Sequence, residues 1–506
     1  MINKYKINTG SSVKDYNKVS DWLSFEIPNK IKISSGKVDI GQHISTTLAL
    51  ICSRELGIDI NSIFVNKLNT DITPNEGITA SSLSVPNSGT AIRSASIIFK
   101  KNFLDFAAKS LNLNINNINL EDGVAKDPNS NASISFWDFS KTKEFLQLSI
   151  PEIIEIEDQK NFDHSSHVET KFINSIVKGE YKFLHDLRFD DMLHARIVRP
   201  PSYFHKFLSI NKAIYKYLKD HNLKLYIKNS FIAVLGNDEF EVIKSLNRIK
   251  NSIEWEQVNK LANDKIFNLI DQNSKESLVV KRGGEAFHEN IPEIKSYNNV
   301  DYITLTSEFN KPYLMHGSIG PSASCSFYKN GKFIIYSHSQ AIYALKSILS
   351  NAFNLNEKNI TLHFMPGAGC YGHNGADDVT YEAALLSKEF ENKYILLKWT
   401  REDENCWEPY GSASKNKLTA TLDKNNKIIY WSSEAYSDTY LTRPMVGKLE
   451  YFVSQRFINN DFKKYKVEPR TGAHMGIHRN LDPIYNFKET RLVTVSYTHL
   501  RAHETS

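Results

Sequence analysis

The chain has 506 residues, 41% of them hydrophobic and 24% charged, so it can bury its own core without disulfide or metal staples. The net charge of +5, from 62 basic and 57 acidic residues, is too small over this length for a nucleic-acid groove. Cys52, Cys325, Cys370 and Cys406 form no C-x-x-C pair, and no apolar run reaches the roughly 18 residues of a membrane-spanning helix, which argues against a cysteine-held metal cluster and a transmembrane segment. At roughly 100–200 residues per domain, about three domains are expected.

The N-terminus has no apolar signal region and no twin arginine, so the default location is cytoplasmic, or periplasmic if the true start lies upstream. The first block spans 22–150. Lys30-Ile31-Lys32-Ile33-Ser34-Ser35 alternates like a strand, and a helix then presents Leu48, Ile51, Cys52 and Leu56 on one face. Ile63-Phe64-Val65 reads as a strand, a helix begins near Thr90, and 123–133 reads as loop. The second block spans 168–256. Strands at 224–227 and 231–235 precede a helix capped by Asn237 or Asp238, with Phe240, Ile243, Leu246, Ile249 and Ile253 as its apolar stripe. The charged stretch 274–299 reads as a linker in which Glu285 is solvated. The third block, 300–495, carries strands at 333–336, 360–365 and 394–399. Its helices bear Ile342, Leu345, Leu349 and Ala352, and begin near Asp378. Strands alternating with helices give an α/β or α+β class.

Several stretches could carry chemistry. Gly367-Ala368-Gly369-Cys370-Tyr371-Gly372 is a G-x-G-x-x-G after a strand, where glycines let backbone N–H groups approach a phosphate. The next helix does not open on Gly372, and no acidic residue stands about 20 positions on at the end of the next strand, where the first is Glu402, so a structural turn competes with a dinucleotide site. Asp39-Ile40-Gly41-Gln42-His43 feeds a helix N-terminus rich in hydroxyls, which suits an anionic or amide-rich ligand or simple capping. The small residues Thr79-Ala80-Ser81-Ser82 allow close approach of a planar ligand or of another element. His474 and His478 are spaced i, i+4, but Gly472 and Gly476 argue against a regular helix and no H-E-x-x-H pattern is present, so they read as surface histidines. The C-terminal 496–506 has no helix or strand period.

Taken together these motifs resemble the molybdenum-cofactor-binding subunit of the xanthine dehydrogenase and aldehyde oxidase superfamily. The isoquinoline 1-oxidoreductase and nicotinate dehydrogenase large subunits are the most similar. The resemblance rests on Gly36-Lys37-Val38-Asp39-Ile40-Gly41-Gln42, Thr73-Pro74-Asn75-Glu76-Gly77-Ile78-Thr79-Ala80-Ser81-Ser82 and Met192-Leu193-His194-Ala195-Arg196-Ile197-Val198-Arg199-Pro200-Pro201. His338-Ser339-Gln340, the 367–378 stretch, Trp399-Thr400-Arg401-Glu402-Asp403-Glu404 and Trp407-Glu408-Pro409-Tyr410-Gly411 complete it. It covers about 22–495, with the Gly-Gln segment ahead of the Leu-His-Ala-Arg segment as in isoquinoline-type subunits. The tail, 496–506, resembles the translated adapter found on some metagenomic reading frames, which would cut the protein near Val495.

The resemblance implies an α+β, multidomain molybdopterin-binding fold. Segment 22–150 would be of the second-domain type, 168–256 a small α/β hammerhead-like domain, and 300–495 the first molybdopterin-binding domain, truncated. It implies a molybdopterin-type molybdenum cofactor, the cytosine dinucleotide form being one candidate. Gly41, Gln42, Thr79, Ala80, Ser81 and Ser82 would cradle the pterin. Gln340 would point its amide at an oxygen on molybdenum, and Gly369, Cys370, Tyr371 and Gly372 would pass beside the metal. The pterin dithiolene holds the metal, so no protein side chain ligates it directly. The implied reaction is hydroxylation of an N-heterocyclic aromatic compound or aldehyde with oxygen from water, with electrons leaving through an iron–sulfur small subunit. The family's general-base glutamate would lie beyond Val495. Glu285 does not match its context, so no catalytic residue is assigned. The alternatives are an NAD-dependent dehydrogenase using 367–372, and a non-catalytic scaffold of the same fold.

Overall fold

The computed structural model describes residues 4–157, 168–259, 266–272, 274–297, 300–438, 443–444, 447–459 and 469–497. The chain forms two compact units, each discontinuous in sequence: 1–192 with 323–372 and 379–397, and 193–322 with 373–378 and 398–506. The 300–495 block therefore divides, with most of 323–397 folding alongside the N-terminal block. Among the described residues no helix is long and apolar enough to cross a membrane.

The first unit holds two layers of the expected kind. Leu23–Ser24, Ile31–Ile33 and Ile63–Val65 make a three-stranded sheet, covered by helices Ile44–Leu56 and Thr90–Leu111. The apolar spacing buries Leu48, Cys52 and Leu56, and Gly57 in the left-handed region ends the first helix. Phe25 and Phe99 stack with centroids 4.4 Å apart, and Phe103 meets Phe136 edge-on at 4.6 Å. The polar 123–133 stretch is less loop-like than expected: Asn119–Glu121, Val124–Lys126 and Ser133–Ser135 form a small antiparallel sheet. Within the same unit, Ala323–Lys329 pairs antiparallel with Lys332–Ser337, which runs parallel to Ile360–Phe364. Helix Ile342–Phe353 packs there through Ile342, Leu345, Ile348 and Leu349. The N-terminal block docks onto this sheet: Asn69 bridges His363, Thr70 N donates to Leu362 O at 3.0 Å, and Phe364 N donates to Leu68 O at 3.0 Å.

The second unit contains the meander Leu193–Ile197, Phe231–Gly236 and Lys224–Lys228, covered by helix Glu239–Lys250. Asp238 caps that helix, accepting from Phe240 N and Glu241 N. Its buried face is Val242, Ser245, Leu246 and Ile249, while Phe240 and Ile243 face outward and Ile253 belongs to strand Ile253–Gln257. The expected stripe is thus rotated by part of a turn. Glu239 joins Arg196 at 2.8 Å and Lys398 at 2.9 Å. Burial pushes its carboxyl up, but those two cations outweigh burial and hold it at about 2.

A six-stranded sheet completes this unit, in the order Ala286–Phe287, Ser274–Val280, Glu489–Tyr497, Ile428–Ser437, Ser414–Leu422, Ile303–Lys311. Two sequence expectations change here. The 274–299 stretch contributes a core strand, with Leu278 and Val280 buried, although Glu285 is exposed as expected. The start of the 496–506 tail also carries structure: Ser496 and Tyr497 finish strand Glu489–Tyr497, and Tyr497 is 1% exposed with its hydroxyl 3.0 Å from that of Tyr313. The remainder, 498–506, lies outside the described residues. His478 is likewise buried rather than on the surface, its Nε2 2.8 Å from Gly472 O.

Two predictions test these assignments. Tyr497→Ala should lower stability by roughly 3–5 kcal/mol, read as a shifted urea midpoint. A chain ending at Val495 should show the same loss, and an unchanged midpoint would place Tyr497 outside the core. The Glu239 carboxyl is depressed, so its stabilisation is present above the ordinary glutamate range near 4.5 and is lost as pH falls towards 2. Glu239→Gln should remove that acid limb from a stability-against-pH curve, while Glu152→Gln, at an exposed position, should leave it in place.

Candidate cofactor site

Every residue expected to hold the cofactor lies in the first unit, in three loops and, for Gln340, in the turn between strand Lys332–Ser337 and helix Ile342–Phe353. The first loop, 36–42, follows strand Ile31–Ile33. Gly36 lies so close to the second loop that a Cβ there would stand 2.0 Å from Pro74 O and 2.8 Å from Glu76 N. Only glycine permits that approach. Glu76 then ties the two loops: its carboxylate accepts from Gly36 N at 2.8 Å, Ser12 Oγ at 2.7 Å, Ser35 Oγ at 3.1 Å and Ser88 Oγ at 2.7 Å. The Lys37 ammonium donates to Glu76 O at 2.6 Å and Ile78 O at 3.1 Å. Burial lowers its pKa, against the opposing charge of Glu76.

Thr79 is the joint of the site. Its Oγ1 accepts from Val38 N at 2.9 Å, and its N–H donates to Gln340 O at 3.0 Å. Two of the expected cradle segments and the expected metal-facing glutamine therefore meet at one buried residue. Beyond it Ser81 and Ser82 both take positive φ of 57° and stand exposed. In the first loop Gly41 has φ 109°, and a Cβ there would meet nothing within 4 Å. Gln42 spans its own turn, Oε1 accepting from Ile40 N at 2.7 Å and Nε2 donating to Val38 O at 2.8 Å. The helix N-terminus beside it is capped by Asp39, which accepts from His43 N at 3.1 Å and Ser45 N at 3.4 Å. Asp39 thus takes two of the N–H groups at the start of that helix.

The third loop is 367–372. It leaves strand Ile360–Phe364 and passes over His338, whose Nδ1 donates to Gly369 O at 2.9 Å while its Nε2 accepts from Ala323 N at 3.3 Å. Those two partners fix the neutral tautomer. Gly367 is required because a Cβ would lie 2.9 Å from His338 Cβ. Gly369, Tyr371 and Gly372 all take positive φ, Cys370 is buried, and the Tyr371 ring lies over Gly369. Gly372 N donates to Gln340 Oε1 at 3.2 Å. With its oxygen held there, Gln340 Nε2 has no protein acceptor among the described residues. A Cβ on Gly372 would also meet nothing within 4 Å. Open room beside two backbone turns, plus an uncommitted amide donor, fits a large polar group with acceptor oxygens.

The remaining quoted motifs fall in the second unit and make structure. Arg199 lies 4.9 Å from the Trp399 ring and 5.6 Å from the Trp407 ring, with Asp403 at 3.8 Å. Glu76, Lys37 and His338 stood inside quoted motifs without a role. Nothing in the sequence signalled that Gly36 and Glu76, 40 positions apart, meet.

Two family models, both described as molybdopterin cofactor-binding domain, match residues 1–174 and 285–483. A nicotinate dehydrogenase chain of Pseudomonas putida is 27% identical over 408 residues, covering 78% of this chain and 33% of that protein. The membrane-bound aldehyde dehydrogenase [pyrroloquinoline-quinone] of Gluconacetobacter polyoxogenes is 20% identical over 450 residues, covering 84% of this chain and 57% of that protein. The chain thus spans between a third and rather more than half of these relatives' lengths. Among solved structures, quinoline 2-oxidoreductase from Pseudomonas putida matches with a TM-score of 0.45 at 11% identity, over 64% of this chain and 43% of that one.

Glu76→Ala should leave four donors without their acceptor and cost roughly 3 kcal/mol in a denaturant titration. Glu76→Gln, which keeps the shape and one acceptor oxygen, should cost less; equal losses would mean that packing, not the carboxylate, holds the loops together. The two family matches fall on the segments that supply all three loops and together take in most of the chain, which belongs to the molybdopterin cofactor-binding domain family.

Proposed function

We propose that the chain is the cofactor-holding part of a molybdenum hydroxylase large subunit. The reading is an oxidoreductase that hydroxylates an N-heterocyclic aromatic compound or an aldehyde with oxygen from water and passes electrons to an iron–sulfur subunit. The observation that carries it is Gln340, held through its carbonyl by Thr79 N and through its side-chain oxygen by Gly372 N, with its amide donors uncommitted. The named relatives, a nicotinate dehydrogenase chain and an aldehyde dehydrogenase, support both substrate classes.

When bound, the molybdenum cofactor supplies the two-electron redox chemistry. The residues of this chain bind and orient it. Ser81 and Ser82 would offer backbone N–H groups and hydroxyls to a polar, anionic pterin tail, and Gly41, whose own N–H goes to Asp39 Oδ1 at 3.4 Å, would let that tail approach the backbone closely. Thr79 fixes the distance between that cradle and Gln340. Gly369 to Gly372 present backbone without side-chain bulk at the two glycines, and Gln340 donates a hydrogen bond to the group beside the loop. His338, fixed neutral by its two partners, holds the loop in place and carries no proton of the reaction.

Gln42→Ala and Gln340→Ala should separate binding from turnover in the holoenzyme. Loss of the Gln42 bonds loosens the turn at Gly41 and should lower molybdenum and pterin content. Loss of the Gln340 donor should leave content near normal and lower turnover about three- to tenfold, the value of one hydrogen bond. Equal molybdenum content and equal activity in both variants would refute the assignment. Wild-type protein that folds but retains no molybdenum when produced with the cofactor machinery would refute the function itself.

A further inference from the structure

In the second unit, segment 314–322 runs along helix Arg401–Trp407 and the residues after it, gripped at four places. Leu314 and Gly411 exchange backbone hydrogen bonds of 3.1 and 2.8 Å. His316 N donates to Glu408 Oε1. Arg401 donates to Ser318 O at 2.7 Å and Ile319 O at 2.6 Å. Ser322 donates to Glu404 through N at 2.7 Å and through Oγ at 3.1 Å. Ile319 is 90% exposed, so the middle of the segment is open to solvent and held from one side.

Two of these grips are carboxylates on successive turns, and both Glu404 and Glu408 are only 1% exposed. Charges of one sign so placed repel strongly. A second observation calls for a proton. Glu408 Oε2 lies 3.3 Å from His316 Nδ1, and both atoms are buried without a hydrogen-bond partner among the described residues. The other groups facing the pair are few. Arg401 is the cation beside Glu404, the Tyr410 phenol lies towards Glu408, and Asp403 turns to Arg199.

We propose that Glu404 and Glu408 form a proton-operated latch on segment 314–322: a proton on the pair holds the segment down, and loss of that proton lets it lift. Protonated Glu404 keeps both bonds to Ser322. Its carbonyl oxygen accepts from Ser322 N, and its hydroxyl donates to Ser322 Oγ, which reverses its role. Protonation therefore removes the repulsion without breaking the grip. Burial, with Glu408 adding to it, pushes the Glu404 carboxyl up to about 7, against the hydrogen bonds from Ser322 and the charge of Arg401. A raised carboxyl stabilises below its unfolded value and loses that stabilisation as pH rises through the folded value, so the latch opens on the alkaline side of neutrality. Ser318 Oγ accepts from Asn374 Nδ2 at 3.0 Å, two residues after Gly372. The latch thereby bears on the segment that leaves the cofactor loop, yet it stands or falls without the cofactor reading.

Hydrogen exchange of the 506-residue chain tests it directly. Corrected for intrinsic rate, peptides covering 314–322 should exchange about tenfold faster at about pH 8 than at about pH 6, a change in local opening. Glu404→Gln copies the protonated acid, with an amide donor for Ser322 Oγ, and should stay protected at both. Glu408→Gln should also flatten the step. An unchanged wild-type protection overturns the latch. So does a pH step that survives in both variants but vanishes in His316→Gln, which would make the imidazole the titrating group. Infrared titration of the unmodified chain gives an answer that needs no variant to fold: a protonated carboxyl band should be present at about pH 6 and lost by about pH 8, and its absence at both overturns the proposal.

Discussion

The first unit depends on one backbone amide and one hydroxyl, both belonging to Thr79. The amide reaches Gln340 O and the hydroxyl receives Val38 N, so a single buried threonine sets the spacing of segments far apart in the chain. Around it the supports are of different kinds. Glu76 gathers four donors from one side, and Lys37 ties two carbonyls from another. On the far side Asp71 accepts from Lys346 at 2.8 Å and Thr361 at 2.5 Å, fastening the N-terminal block to strand Ile360–Phe364. An acceptor shared by several charged or hydroxyl donors is costly to disturb at any one point, because the remaining donors lose their common partner. Such a network holds loops in a unique arrangement where apolar packing alone would let them slide.

Much of this was legible in the sequence because local rules and the final fold agree. The helix with Leu48, Cys52 and Leu56, the strand at 231–235 and the cap at Asp238 each satisfy spacing and propensity at once. The failures have a common physical origin in partners remote in sequence. Ser274-Lys275-Glu276-Ser277 looks like a solvated linker, yet Ser274–Val280 becomes a strand because Glu489–Tyr497 and Ala286–Phe287 supply its hydrogen bonds. Tyr497 looks like a tail residue until Tyr313 and Ala413 close around it. In helix Glu239–Lys250 two apolar rows, Phe240 with Ile243 and Val242 with Leu246 and Ile249, compete for the core. Spacing alone could not choose, and the sheet beneath selected the second.

The sequence named the residues of the candidate site but not their bonding. Gly41, Thr79, Gln340 and 369–372 lie in neighbouring loops of one unit, as motif order suggested. Which of them join the loops, and which are left to meet a ligand, needed coordinates. Gln42 and Gln340 are chemically identical, yet one closes on its own turn and the other keeps its donors. Glu404 and Glu408 stand in motifs of the resemblance, but their burial was not legible, since an acidic residue in a helix's first turn or just past its end ordinarily reads as solvated. Asp403 does cap, by accepting at Thr400 N at 3.0 Å, and the run hides two side chains with different work.

Backbone strain separates the loops from the scaffold. Most non-glycine residues with positive φ among those described are Asn or Asp, which tolerate the left-handed region at turns and helix ends. His43, Ser81, Ser82, Tyr371 and His474 have no such excuse, and the first four sit in the loops of the candidate site. Strain of roughly 1–3 kcal/mol per residue persists only where surrounding contacts overdetermine the backbone. Here those contacts are the Asp39 cap at His43, the Thr79 joint ahead of Ser81, and His338 and Gln340 beneath Tyr371. The same bonds that fix the loops therefore hold their backbone N–H groups at angles an unrestrained chain would leave. The loops are therefore preorganised: the energy that sets their backbone is committed in folding, before anything binds.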